Sequence, residues 1–380
     1  MASFVAAVLV VAVPMIYRAS SDNQPMPTLR PSTPIEDARS LSIDFGIVID
    51  PETDWKAVDA HLDAVGANTV NLNAGRVEFT AFDWPEHPEA AAESGTDHLA
   101  VAARALNTAA DGSSREVNLI MDAYVPVWIK ADPSLAGVNE NGKRSQYTAS
   151  ASQLLEGEVG DRLVAYVKAL GERYDPNHVE VTELFLDDYT FGDDDLALFR
   201  RMTGEADWPR NANGSINTVA PVIGSWRSQV LAGLMDRFRA ALDGVRNGEG
   251  ADIGLVMDVR VDWSDPAAGR PLSGHDYSIL LKSGVDLQLW VYIGRADKSA
   301  GQVQELTAGL AAGGYDMTRF IISAGLWKGD ISGDELDRIS PAELAAVVAG
   351  AATNGITAVN VTPYSLMTPG HWAALRSVWA

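Results

Sequence analysis

Two aspartates, Asp187 and Asp188, close the apolar run "VEVTELFLDD" (179–188), and Asp193, Asp194 and Asp195 follow Gly192. A carboxyl group at the end of a buried strand can protonate a leaving group or hold a developing positive charge. Its flanking Phe185, Leu186 and Tyr189 would raise its pKa by desolvation. Neighbouring strand residues face opposite ways, so the two acids are not expected to meet across one bond. Asp187 is the favoured acid and Asp188 an orienting or stabilising one. Candidates for the second role share one face of a later run: Asp258, Arg260 and Asp262 alternate with Met257, Val259 and Val261. An arginine between two acids is equally well a structural ion-pair ladder. A substrate acetamido group could also act as nucleophile, with a carboxylate only orienting it. Glu183, on the Asp187 face but deeper, reads as buried polar support. Asp193 to Asp195 sit where a cap and acidic first turn stabilise a helix, although Asp193 could still reach a cleft.

Other apolar runs also end in rings and amides. They deliver Asn71 and Asn73; Asp122 and Tyr124, with Trp128 just beyond; Tyr189; Trp263; Trp290 and Tyr292; Trp327 and Lys328; and Asn360 with Tyr364. Aromatic faces stack on apolar sugar faces, while Asn, Asp and Arg bind hydroxyls. Any one ring is as well explained by packing, but recurrence at six run ends favours a carbohydrate site. The six histidines are scattered, with no H-E-x-x-H or paired metal spacing, and no P-loop or G-x-S-x-G appears. No metal or cofactor is expected.

These residues need a scaffold that brings run ends together. Short apolar runs at 41–50, 68–74, 116–125, 179–188, 251–262, 285–294, 319–327 and 358–366 alternate with helical patterns. Eight strand–helix units in strict alternation describe a (β/α)8 TIM barrel, a single domain over 41–380, with its site at the C-terminal strand ends. A doubly wound sheet would need fewer units, and no G-x-G-x-x-G follows the first strand. The long connection "PVWIKADPSLAGVNENGKRSQYTASASQ" (126–153) is expected to form a wall or lid.

Composition narrows the partner. The 380 residues carry a formal net charge of -22, which argues against nucleic acid and against an anionic membrane surface. A neutral or cationic polysaccharide or oligosaccharide fits better. There is no cysteine, hence no disulfide, thiol nucleophile or cysteine metal site. Residues 1–17 are nearly continuous apolar sequence from Phe4 to Tyr17, the length of a signal-peptide core, with a membrane anchor as the competing reading. Residues 18–40, rich in Ser and Pro, read as a linker. Export to the extracellular space or cell envelope follows as an expectation.

At "LFLDDYTFGD" the chain resembles the hydrolase domain of bacterial poly-β-1,6-N-acetylglucosamine hydrolases and related hypothetical glycosidases. The likeness maps onto Leu184, Phe185, Asp187, Asp188 and Asp193, with a looser match over "MDAYVPVW" and around Tyr364. It departs at Leu186, where those proteins carry His, and at "TPYSLM", which lacks their acidic pair. The resemblance implies a glycosidase-like barrel cleaving an amino-sugar or related polysaccharide through Asp187 and Asp188. A non-catalytic glycan-binding barrel, or a barrel enzyme of other chemistry such as an aldolase or isomerase, stays open as an alternative.

Overall fold

The computed structural model describes Leu29 and residues 35–245, 252–329 and 337–379. The expected signal or anchor at 1–17, and positions 18–28 and 30–34 of the expected linker, lie outside these residues. Among the described residues no helix is long and apolar enough to cross a membrane.

Eight parallel strands form the centre: β1 (Ala38–Ile43), β2 (Thr69–Arg76), β3 (Glu116–Asp122), β4 (His178–Thr182), β5 (Gly254–Val259), β6 (Asp286–Val291), β7 (Phe320–Gly325) and β8 (Ala358–Thr362). Each pairs with its neighbour in the chain, and β1 pairs with both β2 and β8, so the sheet closes on itself. Around it lie α1 (Trp55–Val65), α2 (His98–Leu106), α3 (Glu158–Tyr174), α4 (Asp193–Thr203), α5 (Pro221–Asp243), α6 (Gly301–Ala312), α7 (Pro341–Ala351) and α8 (Pro369–Trp379). Only short turns of helix, Pro271–Ser273, Tyr277–Leu280 and Leu281–Ser283, join β5 to β6. This is a (β/α)8 TIM barrel.

The helices start where the sequence satisfies their free N–H groups. Asp54 accepts from the amides of Lys56 and Ala57 at the head of α1, and Ser340 and Glu343 form a reciprocal capping box at the head of α7. Val58, Leu62 and Val65 make the buried stripe of α1. With the buried faces of the other helices they form one apolar cluster that includes the outward residues of the strands, among them Leu41, Ile43, Val70, Leu72, Val117, Leu119, Val179 and Val181, all fully buried. Burying each such side chain contributes about 1.5–3 kcal/mol, so the apolar core is the shell between sheet and helices.

The lumen of the barrel is polar. Alternate strand positions place Ser40, Ser42, Asn71, Asn118, Glu180, Asp258, Gln288, Ser323 and Asn360 inside, all buried. They satisfy one another. Asn360 accepts from Ser40 Oγ at 3.1 Å and donates to Ser42 and Ser323, each at 3.0 Å. Asn118 donates to Asn71 at 3.0 Å, and Gln288 Nε2 donates to Glu180 at 2.5 Å and Asp258 at 2.8 Å. Such a network fixes the strand register from within, because each member left unpaired would be costly.

The apolar runs outlast the strands. β4 stops at Thr182 rather than Asp188, β5 at Val259 rather than Asp262, and β8 at Thr362 rather than Leu366. β1 begins at Ala38, inside the expected linker, and also stops early, at Ile43. At β4 the stop is local. Glu183 takes φ 55, a left-handed conformation that a β-strand cannot continue through.

Candidate active site

A cavity of about 770 Å³ opens at the C-terminal ends of the strands. Asp44, Asp122, Glu180, Glu183 and Asp258 give it five acids, Arg260, Arg270 and Arg295 give it cations, and Phe45, Tyr124, Trp263, Trp290, Tyr292 and Trp327 give it rings. The sharp turn at Glu183 leaves that side chain on the cavity wall just beyond β4. Gly325 makes room for one ring: a Cβ there would sit 2.2 Å from Tyr292.

Glu183 is the most perturbed acid near the mouth. Burial pushes its pKa up to about 7, with Asp122 and Asp258 adding to the rise and Tyr124 and Arg260 opposing it. Tyr124 stays protonated, its own pKa raised by burial and by Glu183, so its hydroxyl donates to the Glu183 carboxylate. Burial likewise lifts Asp122 to about 6, against the pull of the Tyr124 amide at 2.8 Å and of Arg76. Asp44 is raised by burial while Ser365 holds it through its amide at 3.0 Å and its hydroxyl at 2.9 Å.

Deeper down, Glu180 and Asp258 are a carboxyl pair. Burial and the nearby Asp258 charge drive the Glu180 pKa well up, so Glu180 keeps its proton. Asp258 is also raised by burial, but Thr182, Trp290, Gln288 and Glu180 all favour its ionised form. Of the two, Glu180 is raised the further, so a proton shared by the pair rests mainly on Glu180.

The loop after β4 is held by neutral and charged partners. His275 is buried, and burial lowers its pKa to about 4, so the ring is neutral. Its Nδ1 accepts from the Arg260 amide at 3.0 Å, and its Nε2–H donates to the Leu184 carbonyl at 3.0 Å. Asp187 accepts from Ser273 Oγ at 2.7 Å and forms an ion pair with Arg260, whose guanidinium covers the Phe185 ring at 3.9 Å. Asp187 thus ties the β4 and β5 loops together and aims Arg260.

The expected residues divide into those the barrel gathers and those it does not. Asn73, Asp122, Tyr124, Asp258, Arg260, Trp263, Trp290, Tyr292 and Trp327 line the cavity. Asp187, Asp188 and Tyr189 line a smaller hollow beside it. Asn71 is locked in the lumen network. Asp262 accepts from the Ser264 hydroxyl at 2.5 Å and the Ser264 amide at 2.8 Å, which cap a turn and lower its pKa. Trp128 lies under Arg162 at 4.9 Å, its amide donating to Glu78. Tyr364 donates to or accepts from His61 at 2.8 Å and packs on Trp372, because the chain leaves β8 at Thr362. Asp193 to Asp195 form the first turn of α4. Asp194 accepts from Ser150 at 2.7 Å and Asp195 from the Ser152 amide at 2.9 Å.

Glu183, Glu180, Asp44 and Gln288 were not picked out as site residues by sequence reasoning. For Glu180, Asp44 and Gln288 the signal was a polar residue at every second position of an apolar run, as in "VEVT" and "LQLW"; Glu183 falls one residue past that alternation. Asp187→Asn is expected to lower kcat/KM less than about tenfold, since its ion pair with Arg260 is partly exposed and such pairs contribute about 1 kcal/mol or less. Complete loss of turnover in that variant, with the fold intact by circular dichroism, would return Asp187 to the chemistry.

No protein-family model matches the chain, and comparison with curated proteins returns no match. Solved structures do match. Alpha-L-fucosidase isoenzyme 2 from Paenibacillus thiaminolyticus aligns at TM-score 0.61 and 14% identity, over 90% of this chain and 49% of that one. The catalytic domain of beta-amylase from Paenibacillus polymyxa aligns at TM-score 0.58 and 11% identity, over 90% and 98%. A GH42 beta-galactosidase from G. stearothermophilus aligns at TM-score 0.60 and 11% identity, over 92% and 57%. The chain therefore spans about half of the fucosidase chain and nearly all of the amylase domain. At these identities the likeness speaks for the fold alone: the chain is a TIM barrel, as these three enzymes are over the aligned length.

Proposed function

We propose that this chain is a glycoside hydrolase in which Glu183 is the acid/base residue and Asp258 the charged partner. The observation that carries the reading is Glu183 itself: a carboxyl turned onto the wall of an aromatic-lined cavity at a strand end, with its pKa raised to about 7. A protonated carboxyl there gives its proton to the glycosidic oxygen as the bond to the anomeric carbon breaks. The sugar left behind carries positive charge, which the Asp258 carboxylate offsets. Water adds at the anomeric carbon, and its proton goes to a cavity carboxylate. The rings of Trp263, Trp290, Tyr292 and Trp327 support sugar stacking, and Arg260 and Asn73 support hydroxyl binding.

The substrate on this reading is an extracellular or cell-envelope polysaccharide, with amino-sugar polymers in the class. The apolar stretch 1–17 supports export or tethering to a membrane. Reducing-end release from a panel of bacterial polysaccharides tests the activity. Binding without release by the wild type would leave a glycan-binding barrel instead. Cell fractionation with and without residues 1–17 tests the placement, and a soluble cytoplasmic protein in both cases would sink it.

A further inference from the structure

Beside the central cavity lies a hollow of about 180 Å³, lined among others by Tyr124, Ser145, Tyr147, Phe185, Asp188 and Tyr189. Tyr124 lines both spaces, so they share a wall. A series of rings runs from one to the other. Tyr147 lies 5.7 Å from Tyr124, Tyr124 6.0 Å from Phe185, and Phe185 6.3 Å from Trp290, with Tyr292 and Trp327 following at 5.8 and 5.2 Å. Packing alone does not explain its outer end. Tyr147 is 54% exposed, whereas a ring recruited to a core is covered.

The hollow is built on a docked frame. Its outer wall is the hairpin of Ala136–Val138 and Arg144–Ala149, which the long connection after β3 forms. The Val125 amide donates to the Tyr147 carbonyl at 3.0 Å and the Phe191 amide to the Val138 carbonyl at 2.7 Å, so both neighbouring loops hold it. Gly137 allows the closest approach: a Cβ there would sit 2.2 Å from the Tyr189 carbonyl oxygen. Asp187 is committed to Arg260 and Ser273, but the exposed Asp188 is an acceptor facing the hollow.

We infer that this hollow is a further sugar subsite, so that the substrate is a glycan chain that crosses Tyr124 with one unit against Tyr147 and Tyr189 and its scissile bond in the central cavity. Stacking faces plus a carboxylate acceptor suit a neutral or amino sugar, and the shared wall suits a chain that continues beyond the cut. Cleavage then falls within chains. The inference rests on the glycosidase reading of the central cavity.

Affinity electrophoresis through gels containing xylan, chitosan, pectin or hydroxyethyl cellulose measures chain binding whether or not the chain is cut. Tyr147→Ala is expected to weaken binding of the retarding polysaccharide about 5- to 10-fold, and Tyr147→Phe to keep it. Unchanged melting temperatures confirm that both variants fold. Binding unmoved by Tyr147→Ala, equal loss in Tyr147→Phe, or products that are single sugars from chain ends would overturn the subsite while leaving hydrolysis standing. A wild type that neither binds these glycans nor releases reducing ends from them or from the panel of bacterial polysaccharides would overturn the subsite and the glycosidase reading together.

Discussion

Glu183→Gln is expected to lower kcat by about 10²–10⁴-fold while leaving KM for the glycan nearly unchanged. The amide keeps the size and the hydrogen-bonding reach of the acid, so the sugar should still bind. It cannot give up a proton to the glycosidic oxygen. In the wild type the acid must be protonated, and its pKa is about 7. Activity should therefore fall as pH rises through about 7, and the small residual activity of the variant should lack that limb.

The same group makes a stability prediction with a definite sign. Its folded pKa lies above the ordinary value of 4.5 because burial penalises the charged form. Its contribution to stability is present in full below about pH 4.5 and is lost as pH rises through 7. Glu183→Gln removes that dependence. At pH 8 the variant should be more stable than the wild type, by at most ~2–3 kcal/mol, and the two should converge near pH 4. Melting temperatures across that range measure the difference. Retained turnover would end the acid assignment. Reduced turnover without the alkaline stability gain would mean the carboxyl is not held in a desolvated site.

The barrel was legible because eight apolar runs alternate with helical patterns, and that count needs no exact boundaries. The site was legible in part. Tyr124, Asp258, Arg260, Trp290, Tyr292 and Trp327 were placed at the mouth by their nearness to run ends, and they line the cavity. Glu183 was placed too deep in β4 for a physical reason. Leu184, Phe185 and Leu186 prolong the apolar run, so the strand looked as if it reached Asp188. Leu184 and Leu186 are buried in a loop whose backbone bonds His275 and Ser273, and φ 55 at Glu183 had already ended β4. Apolar character reports burial, and burial does not distinguish a strand from a loop packed under its neighbours.

Tyr364 fails in the same way. "AVNVTPYSL" stays apolar past Thr362, but the chain turns there and sends the ring to His61 and Trp372. The lumen offered a better signal. "SLSI", "VNLN", "VEVT" and "VNVT" alternate apolar and polar residues, and in a parallel barrel covered by helices the polar face can only point inward. Following that alternation to its last member leads to Thr182 in β4, one residue short of Glu183. The pattern of period two locates the mouth more sharply than the length of the apolar run.

Asp258→Asn is the second large effect expected, a loss of about 10²–10³-fold in kcat, because it removes the charge that the cationic sugar needs in a water-poor cavity. Glu180→Gln is the control that separates charge from shape. Glu180 holds its proton, so its role is to donate toward Asp258 rather than to carry charge. A glutamine amide can still donate, and that variant should keep kcat within about tenfold. It should also be the more stable of the two at alkaline pH. Burial raises the folded pKa of Glu180 well above its ordinary value, so its contribution to stability is lost as pH rises toward that folded value. Replacing it with a neutral amide removes that loss. Asp258→Asn instead takes a charged acceptor away from Gln288, whose hydrogen bond at 2.8 Å it weakens. Measuring kcat and melting temperature for both variants across about pH 5–9 decides the matter. Equal kinetic damage from the two substitutions would make the pair a structural element of the lumen and leave Glu183 without its charged partner.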